Sequence, residues 1–151
     1  MKRLHPGDLD YIHSVERISK FSNVISINGG VQLDLMGQEN AESTGTRQLS
    51  GVGGQMDFLE GAYRSKGGKG FICINSSRVT KDGERKSNIL ATIPGGSTIS
   101  APRTMIQYVA TEYGSASLSG KTLRERAEAM ASIAHPDFRE ELMKYAQENF
   151  K

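Results

Sequence analysis

A mixed α/β domain is the fold class this sequence predicts, on three observations. Its first two-thirds carry short apolar runs of strand type, separated by glycine-rich or charged breaks. One helical stretch interrupts them near residue 54, and two amphipathic helices close the chain. With 151 residues, 36% of them hydrophobic and 24% charged, the chain has material for one core and the composition of neither a disordered nor a fibrous protein.

Taken in order, HSVERISKF (13–21) spaces Val15, Ile18 and Phe21 for one face of a short helix. NVISINGGVQLDLMGQ (23–38) reads as a hairpin: a buried strand with Val24, Ile25 and Ile27, a turn at Gly29–Gly30, and a strand alternating Val31, Leu33 and Leu35 with Gln32 and Asp34. Residues 37–54 hold Gly, Ser, Thr and Asn with few large apolar side chains, and are expected to form a long polar loop of the kind that often carries function. A helix then starts near Gly54, with Met56, Leu59 and Tyr63 on one face and Phe58 and Ala62 beside it. After the break SKGGKG come two strand-type runs, GFICIN and SNILATI, joined by the charged turn VTKDGERK. A further break, IPGGSTISAP, precedes the strand in MIQYVATEYG. Thr122 and Glu125 form a capping box that opens a helix with the stripe Leu123, Ala127, Met130, Ala131 and Ala134. Pro136 suits the first position of the last helix, which turns Phe138, Leu142, Tyr145 and Ala146 inward.

Several function classes find little support. A net charge of +2 does not by itself imply nucleic acid. No apolar run approaches the ~20 residues of a membrane span, and MKRLHPGDLD lacks the apolar stretch of a secretory signal. The single cysteine, Cys73, excludes an internal disulfide framework, fits a reducing cytoplasm, and is expected to be a buried small hydrophobe within GFICIN. His5, His13 and His135 are scattered, so no metal site is expected, and His135 before Pro136 reads as a helix cap. GSASLSGKT (114–122) has five residues between Gly114 and Gly120, one more than a phosphate loop allows, and reads as a loop that caps a helix. No G-x-S-x-G elbow occurs.

GVGGQMDFLEGA (51–62) is the most distinctive stretch. Gly51, Gly53 and Gly54 permit positive φ and close approach of another group to the backbone, at the mouth of a helix whose first N–H groups lack partners. Such a turn either packs a helix on a strand or receives an anion, whether a phosphate or a developing oxyanion. The basic residues Arg64, Lys66, Lys69, Arg78, Lys81, Arg85 and Lys86 follow, either as a solvated face or as a surface that meets a phosphorylated cofactor.

The segments INGGVQLDLMGQENAESTGTRQLSGVGGQMDFLEGAYRSKGGK and YVATEYGSASLSGKTLRERAEAMASIAHPDFREEL carry a resemblance over residues 20–146. In that order they resemble the C-terminal domain of the acetyl-CoA hydrolase/transferase family, which includes 4-hydroxybutyrate and acetate CoA-transferases. The resemblance implies an α/β domain of the CoA-transferase (NagB/RpiA-like) type, with a mixed sheet flanked by helices. It implies coenzyme A or acyl-CoA as substrate, a carboxylic acid as co-substrate, and a glutamyl-CoA thioester intermediate. It places Gly51, Val52, Gly53, Gly54 and Gln55 on the acyl-CoA cleft, Glu112 of TEYG nearby, and Asn40 of the loop 37–45 with them. Gly53 and Gly54 would offer backbone N–H groups to the oxyanion. It further implies that residues 1–151 form a single C-terminal-type domain, that the N-terminal domain bearing the family's nucleophilic glutamate is absent, and that the chain alone is inactive. The expected partners are that N-terminal domain and further copies of the same chain, with neither nucleic acid nor membrane.

The chain departs from the family pattern in three places. Gly29 stands where a serine is usual, Glu39 makes GQENA out of GQVNA, and ASLSGK (116–121) loses an acid and a base relative to ADLRGK. Glu39 is therefore either a substitute nucleophile or a solvated loop carboxylate. The alternative function is a non-catalytic binding or assembly module on the same fold.

Overall fold

The computed structural model describes residues 7–150. In chain order its elements are α1 (Leu9–Ile12), α2 (Val15–Ile18), β1 (Ile25–Gly29), β2 (Gln32–Asp34), β3 (Glu39–Asn40), β4 (Ser43–Thr44), β5 (Arg47–Gln48), α3 (Gln55–Arg64), β6 (Lys69–Cys73), β7 (Ser77–Val79), β8 (Arg85–Ser87), β9 (Ile89–Leu90), β10 (Tyr108–Thr111), β11 (Gly114–Ser117), α4 (Leu123–Ser132) and α5 (Pro136–Asn149). The expected mixed α/β class is the observed one. The central sheet runs β1-β6-β10-β11, its first three strands parallel and β11 antiparallel to β10. A second sheet, β3-β2-β9, pairs β2 antiparallel to β3 and parallel to β9.

The hairpin expected over 24–35 does not form. β1 pairs with β6 and β2 with β3 and β9, so the two strands belong to different sheets. Gly29–Gly30 looks like turn chemistry, yet neither residue takes a positive φ. Gly30 is small for another reason: a Cβ there would lie 2.8 Å from Glu39 Oε1 and 3.0 Å from Ile74 Cγ2. VTKDGERK is likewise not a bare turn, since β7 and β8 pair on either side of it. Part of GSASLSGKT is strand β11, and only its end serves the helix cap.

One face of the central sheet is covered. Leu59 of α3 packs over Gly70, where a Cβ would meet Leu59 Cδ2 at 2.9 Å. Ile72, Val109, Ala116 and Leu118 join Met130 and Ala131 of α4, Leu142 and Ala146 of α5, and Leu33, Leu35 and Ile89 of the second sheet in one buried core. The closing helices match their sequence pattern: the Thr122–Glu125 capping box is formed in both directions, His135 caps α5 and Pro136 opens it. Arg126 staples α4 to the loops, donating to the carbonyls of Met36, Leu118 and Arg103 at 2.9, 2.8 and 2.7 Å.

The other face is bare. Ile25 and Ile27, expected to be buried, are 52% and 68% exposed, and Phe71 stacks on Tyr108 beside them at 4.8 Å. Cys73 is exposed, against expectation, because strand alternation turns Ile72 and Ile74 into the core and Cys73 to the opposite side. Phe21, Tyr63 and Leu123 also lie outside the core. The basic residues after α3 do not form one surface: Lys69 opens β6, whereas Arg78, Arg85 and Lys86 lie on the β7–β8 ribbon beyond its far end. No helix among the described residues is long and apolar enough to cross a membrane. His5 lies outside the described residues, as does the N-terminal part of the segment read for a secretory signal.

Candidate functional site

Parallel strands bring their C-terminal ends to one edge of a sheet, and in open α/β sheets ligands bind there. Here β1, β6 and β10 end at Gly29, Cys73 and Thr111. A groove lined by Gly30, Cys73, Ile74, Asn75, Ala110 and Thr111 runs along that edge. Glu112 follows directly. Its carboxylate accepts hydrogen bonds from the Ser76 N–H at 2.9 Å and the Ser76 hydroxyl at 2.6 Å. Desolvation acts to raise the Glu112 pKa, but the two Ser76 bonds and the neighbouring His135 outweigh it and hold the carboxyl below its ordinary value. Glu112 is thus a fixed anion at the strand ends.

Gly51, Val52 and Gly53 are exposed, and nothing in the protein lies within 4 Å of a Cβ built on Gly51 or Gly53. Gly53 takes φ +58°, a conformation that glycine adopts without strain. Gly54 is different. Its φ of −95° is ordinary, but it caps α3 against the imidazole ring of His13, which a Cβ would strike. No side chain caps α3, so its opening N–H groups remain available to a bound group. The glycines therefore serve two ends: Gly54 permits close packing, and Gly53 turns the chain while leaving its backbone open.

Gln55, the first residue of α3, donates from Nε2 to Oε2 of Glu39. Glu39 is wholly buried, which removes the reading of a solvated loop carboxylate. The residues 37–54 are no open loop either: Glu39, Asn40, Glu42 and Ser43 are all buried, and the short strands β3, β4 and β5 order the segment. Burial pushes the Glu39 pKa from 4.5 up to about 7, opposed by the Gln55 bond and reinforced by the charge of Glu42. Its second oxygen, Oε1, is buried with no hydrogen-bond partner.

Asn40 is spent on its own loop. Its Oδ1 accepts from the N–H groups of Glu42 and Ser43 at 3.1 and 2.9 Å, and its Nδ2 donates to the Ser43 carbonyl at 2.8 Å. It shapes the segment that carries Glu39. Of the residues singled out in sequence, Glu39 and Gln55 are in direct contact, Gly30 links Glu39 to the groove, and Glu112 flanks that groove. Sequence reasoning missed Ser76, Gly30 and His13. A serine just past a strand gives no distinguishing signal, and the double glycine at 29–30 reads as a turn, whereas Gly30 is there for its close approach to Glu39 and Ile74. His13 and His135 are not gathered as ligands: His13 lies 3.5 Å from Asp57, and His135 caps α5. No group of three or more His, Cys, Asp or Glu suited to a metal occurs among the described residues.

Comparison with known proteins agrees with this architecture. The family model for the acetyl-CoA hydrolase/transferase C-terminal domain matches residues 2–146. The chain is 47% identical over 139 residues to a butyryl-CoA:acetate CoA-transferase of Anaerostipes caccae, covering 92% of this chain and 31% of that protein. It is 48% identical over 142 residues to a 4-hydroxybutyrate coenzyme A transferase of Clostridium kluyveri, covering 94% and 32%. Among solved structures, RipA from Yersinia pestis superposes with a TM-score of 0.80 at 40% identity, over 92% of this chain and 30% of that one. The 4-hydroxybutyrate CoA-transferase of Porphyromonas gingivalis gives 0.73 at 40% identity, over 93% and 30%. The chain thus spans about a third of the length of the curated relatives it matches. On these matches, and on the fold that underlies them, the chain belongs to the acetyl-CoA hydrolase/transferase family, as its C-terminal domain.

Proposed function

We propose that this domain forms the acyl-CoA cleft of an enzyme that moves coenzyme A between short-chain carboxylic acids, with the nucleophilic glutamate supplied by a segment outside these 151 residues. The observation that carries the reading is the edge where β1, β6 and β10 end. It has an open groove, the fixed carboxylate of Glu112, and an uncapped helix mouth joined to it through Gln55, Glu39 and Gly30. In this scheme the glutamate carboxylate attacks the thioester carbonyl, and N–H groups at Gly53 and Gly54 receive the oxyanion. The thiolate of coenzyme A leaves, then attacks the resulting mixed anhydride at the glutamyl carbonyl. That step yields the glutamyl-CoA thioester and releases the first carboxylate. The acceptor carboxylate reverses the sequence. A metal has no part in it.

Glu39 is not the nucleophile in this account, because its carboxyl is closed off from any cleft. The chain alone is then inactive, and its partner is the family's N-terminal domain. The bare sheet face supports that pairing: parallel strands are ordinarily covered on both faces, and Ile25, Ile27, Phe71 and Tyr108 lie uncovered or half-covered. The same face favours the second reading, a non-catalytic assembly module, and it supports association of further copies. We place the enzyme in the cytoplasm, where an exposed Cys73 stays reduced. The test is calorimetric titration of coenzyme A into the chain, alone and mixed with the N-terminal two-thirds of the Anaerostipes caccae relative. Catalytic pairing predicts tight binding only in the mixture. A stable complex that binds no coenzyme A would favour the assembly module.

A further inference from the structure

Glu39 is a carboxyl group in a place that nothing described so far requires. It is wholly buried, hemmed in by Ile72 and Ile74 around Gly30, with its backbone bridged to Ala101. A buried carboxyl with an unpartnered oxygen is costly, so its presence here calls for an account of what it holds. It makes one side-chain hydrogen bond, to Nε2 of Gln55, and Gln55 is the first residue of the helix that follows the glycine turn.

We propose that Glu39 is the positioning residue of the helix mouth: its carboxyl pins the Gln55 amide from below, and its protonation state sets how tightly the turn at Gly53–Gly54 is held. In the neutral acid the proton sits on Oε1, and Gln55 donates to an uncharged oxygen. Loss of that proton turns the same contact into a charge-assisted hydrogen bond, about twice as strong. The anion then lies against the side chain of the first residue of α3, at the end that carries the positive pole of the helix dipole. Gln55 is drawn harder into the core, and the backbone N–H groups are left as the polar surface of the turn. The change falls near pH 7, where burial has moved the carboxyl.

Other charged groups around the site are accounted for. Glu42, on the same segment, opposes ionisation of Glu39. Asp34 of β2 is buried but engaged by the Met36 and Gln38 N–H groups and by Gln38 Nε2. Asp57 of α3 lies 3.5 Å from His13, whose ring packs against Gly54. His13 is the one imidazole packed on the turn itself, so H13N is the control for its contribution. Ile72, Ile74 and the 100–101 backbone bring no charge.

The role given to the turn in catalysis rests on the function proposed above, but the placement of Glu39 does not. The test is therefore made on the 151-residue chain by NMR. The Glu39 carboxyl, the Gln55 side-chain amide and the Gly53 and Gly54 N–H groups are followed from pH 5 to pH 9. All four should move with one midpoint near 7. The movement should persist in H13N and vanish in E39Q, in which a neutral amide still accepts from Gln55 and keeps the turn ordered. E39A should leave the Gln55 amide exchanging freely and broaden the Gly53 and Gly54 signals. The proposal is overturned if the wild-type glycine and Gln55 signals do not follow the Glu39 carboxyl, or if they titrate alike in E39Q and lose the effect in H13N. Either result leaves the CoA-transferase reading standing, which fails only on its own binding and exchange assays.

Discussion

Glu39→Gln should change how the stability of this domain depends on pH, by an amount the structure gives. The Glu39 pKa is raised from 4.5 to about 7 by burial, a rise of about 2.5, and each unit corresponds to about 1.4 kcal/mol. The sign follows from linkage. As pH rises past about 4.5 the unfolded chain releases this proton, while the folded chain keeps it until about 7. The stabilisation is thus complete below the unfolded value and is lost as pH rises through the folded one. Between pH 4.5 and pH 8 the wild type should lose about 3 kcal/mol more than the variant, a large share of the 5–15 kcal/mol typical of a domain. Glu112, whose pKa is lowered, has the opposite slope, but it titrates in both proteins and cancels in the difference. Urea denaturation of both proteins across that range, read by circular dichroism, gives the number. Parallel pH profiles would refute the reasoning, because they would mean that Glu39 is ionised and solvated in the folded chain.

The turn before α3 makes a paired prediction. Gly53→Ala should cost about 1 kcal/mol for its positive φ and, in the two-domain enzyme, lower turnover about 10²-fold if its N–H serves the oxyanion. Gly54→Ala should destabilise through collision with His13 and recover in the double variant with His13→Ala, as measured by thermal denaturation. A folded Gly53→Ala enzyme with unchanged turnover and coenzyme A affinity would reduce the turn to a packing role. Ser76→Ala removes the hydroxyl bond to Glu112 and should raise the titration midpoint of that carboxyl, as followed by carbon NMR; an unmoved midpoint would mean the bond carries no weight in solution. Cys73, exposed on the bare sheet face, should react rapidly with a thiol reagent in the isolated chain and slowly in the presence of the N-terminal domain. Equal rates would show that the pairing leaves this face uncovered.

The parts of this fold that were legible in sequence are those governed by local chemistry. The capping box at Thr122, the apolar stripe of α4 and Pro136 at the start of α5 each encode a helix boundary or face within a few residues. What failed was pairing. Gly29–Gly30 between two apolar runs is ordinary hairpin chemistry, and nothing local distinguishes it from a chain that leaves one sheet and enters another. The open face failed for a related reason: alternation identifies the two faces of β1 and β6 but not which one is covered, and the apolar character of Ile25, Ile27 and Cys73 alone points them inward. The segment 37–54 looked solvated because it is polar. Its burial depends on Asn40, Ser43 and Glu42 satisfying one another, a closure visible only in three dimensions. The site was half legible. The glycines at the helix mouth announced themselves by composition, whereas Ser76 beneath Glu112 and the Gln55–Glu39 contact arise from residues brought together across the fold.

Thioester exchange tests the account at its centre. The purified chain is incubated with butyryl-CoA and isotopically labelled acetate, alone and with the N-terminal two-thirds of the Anaerostipes caccae relative, and labelled acetyl-CoA is measured. Background exchange is expected from either part alone and turnover from the mixture, lowered about 10²-fold by Gly53→Ala, well beyond its effect on folding. Robust exchange by the 151-residue chain on its own would contradict it, and loss of that exchange in Glu39→Gln would return the nucleophile to the buried carboxyl.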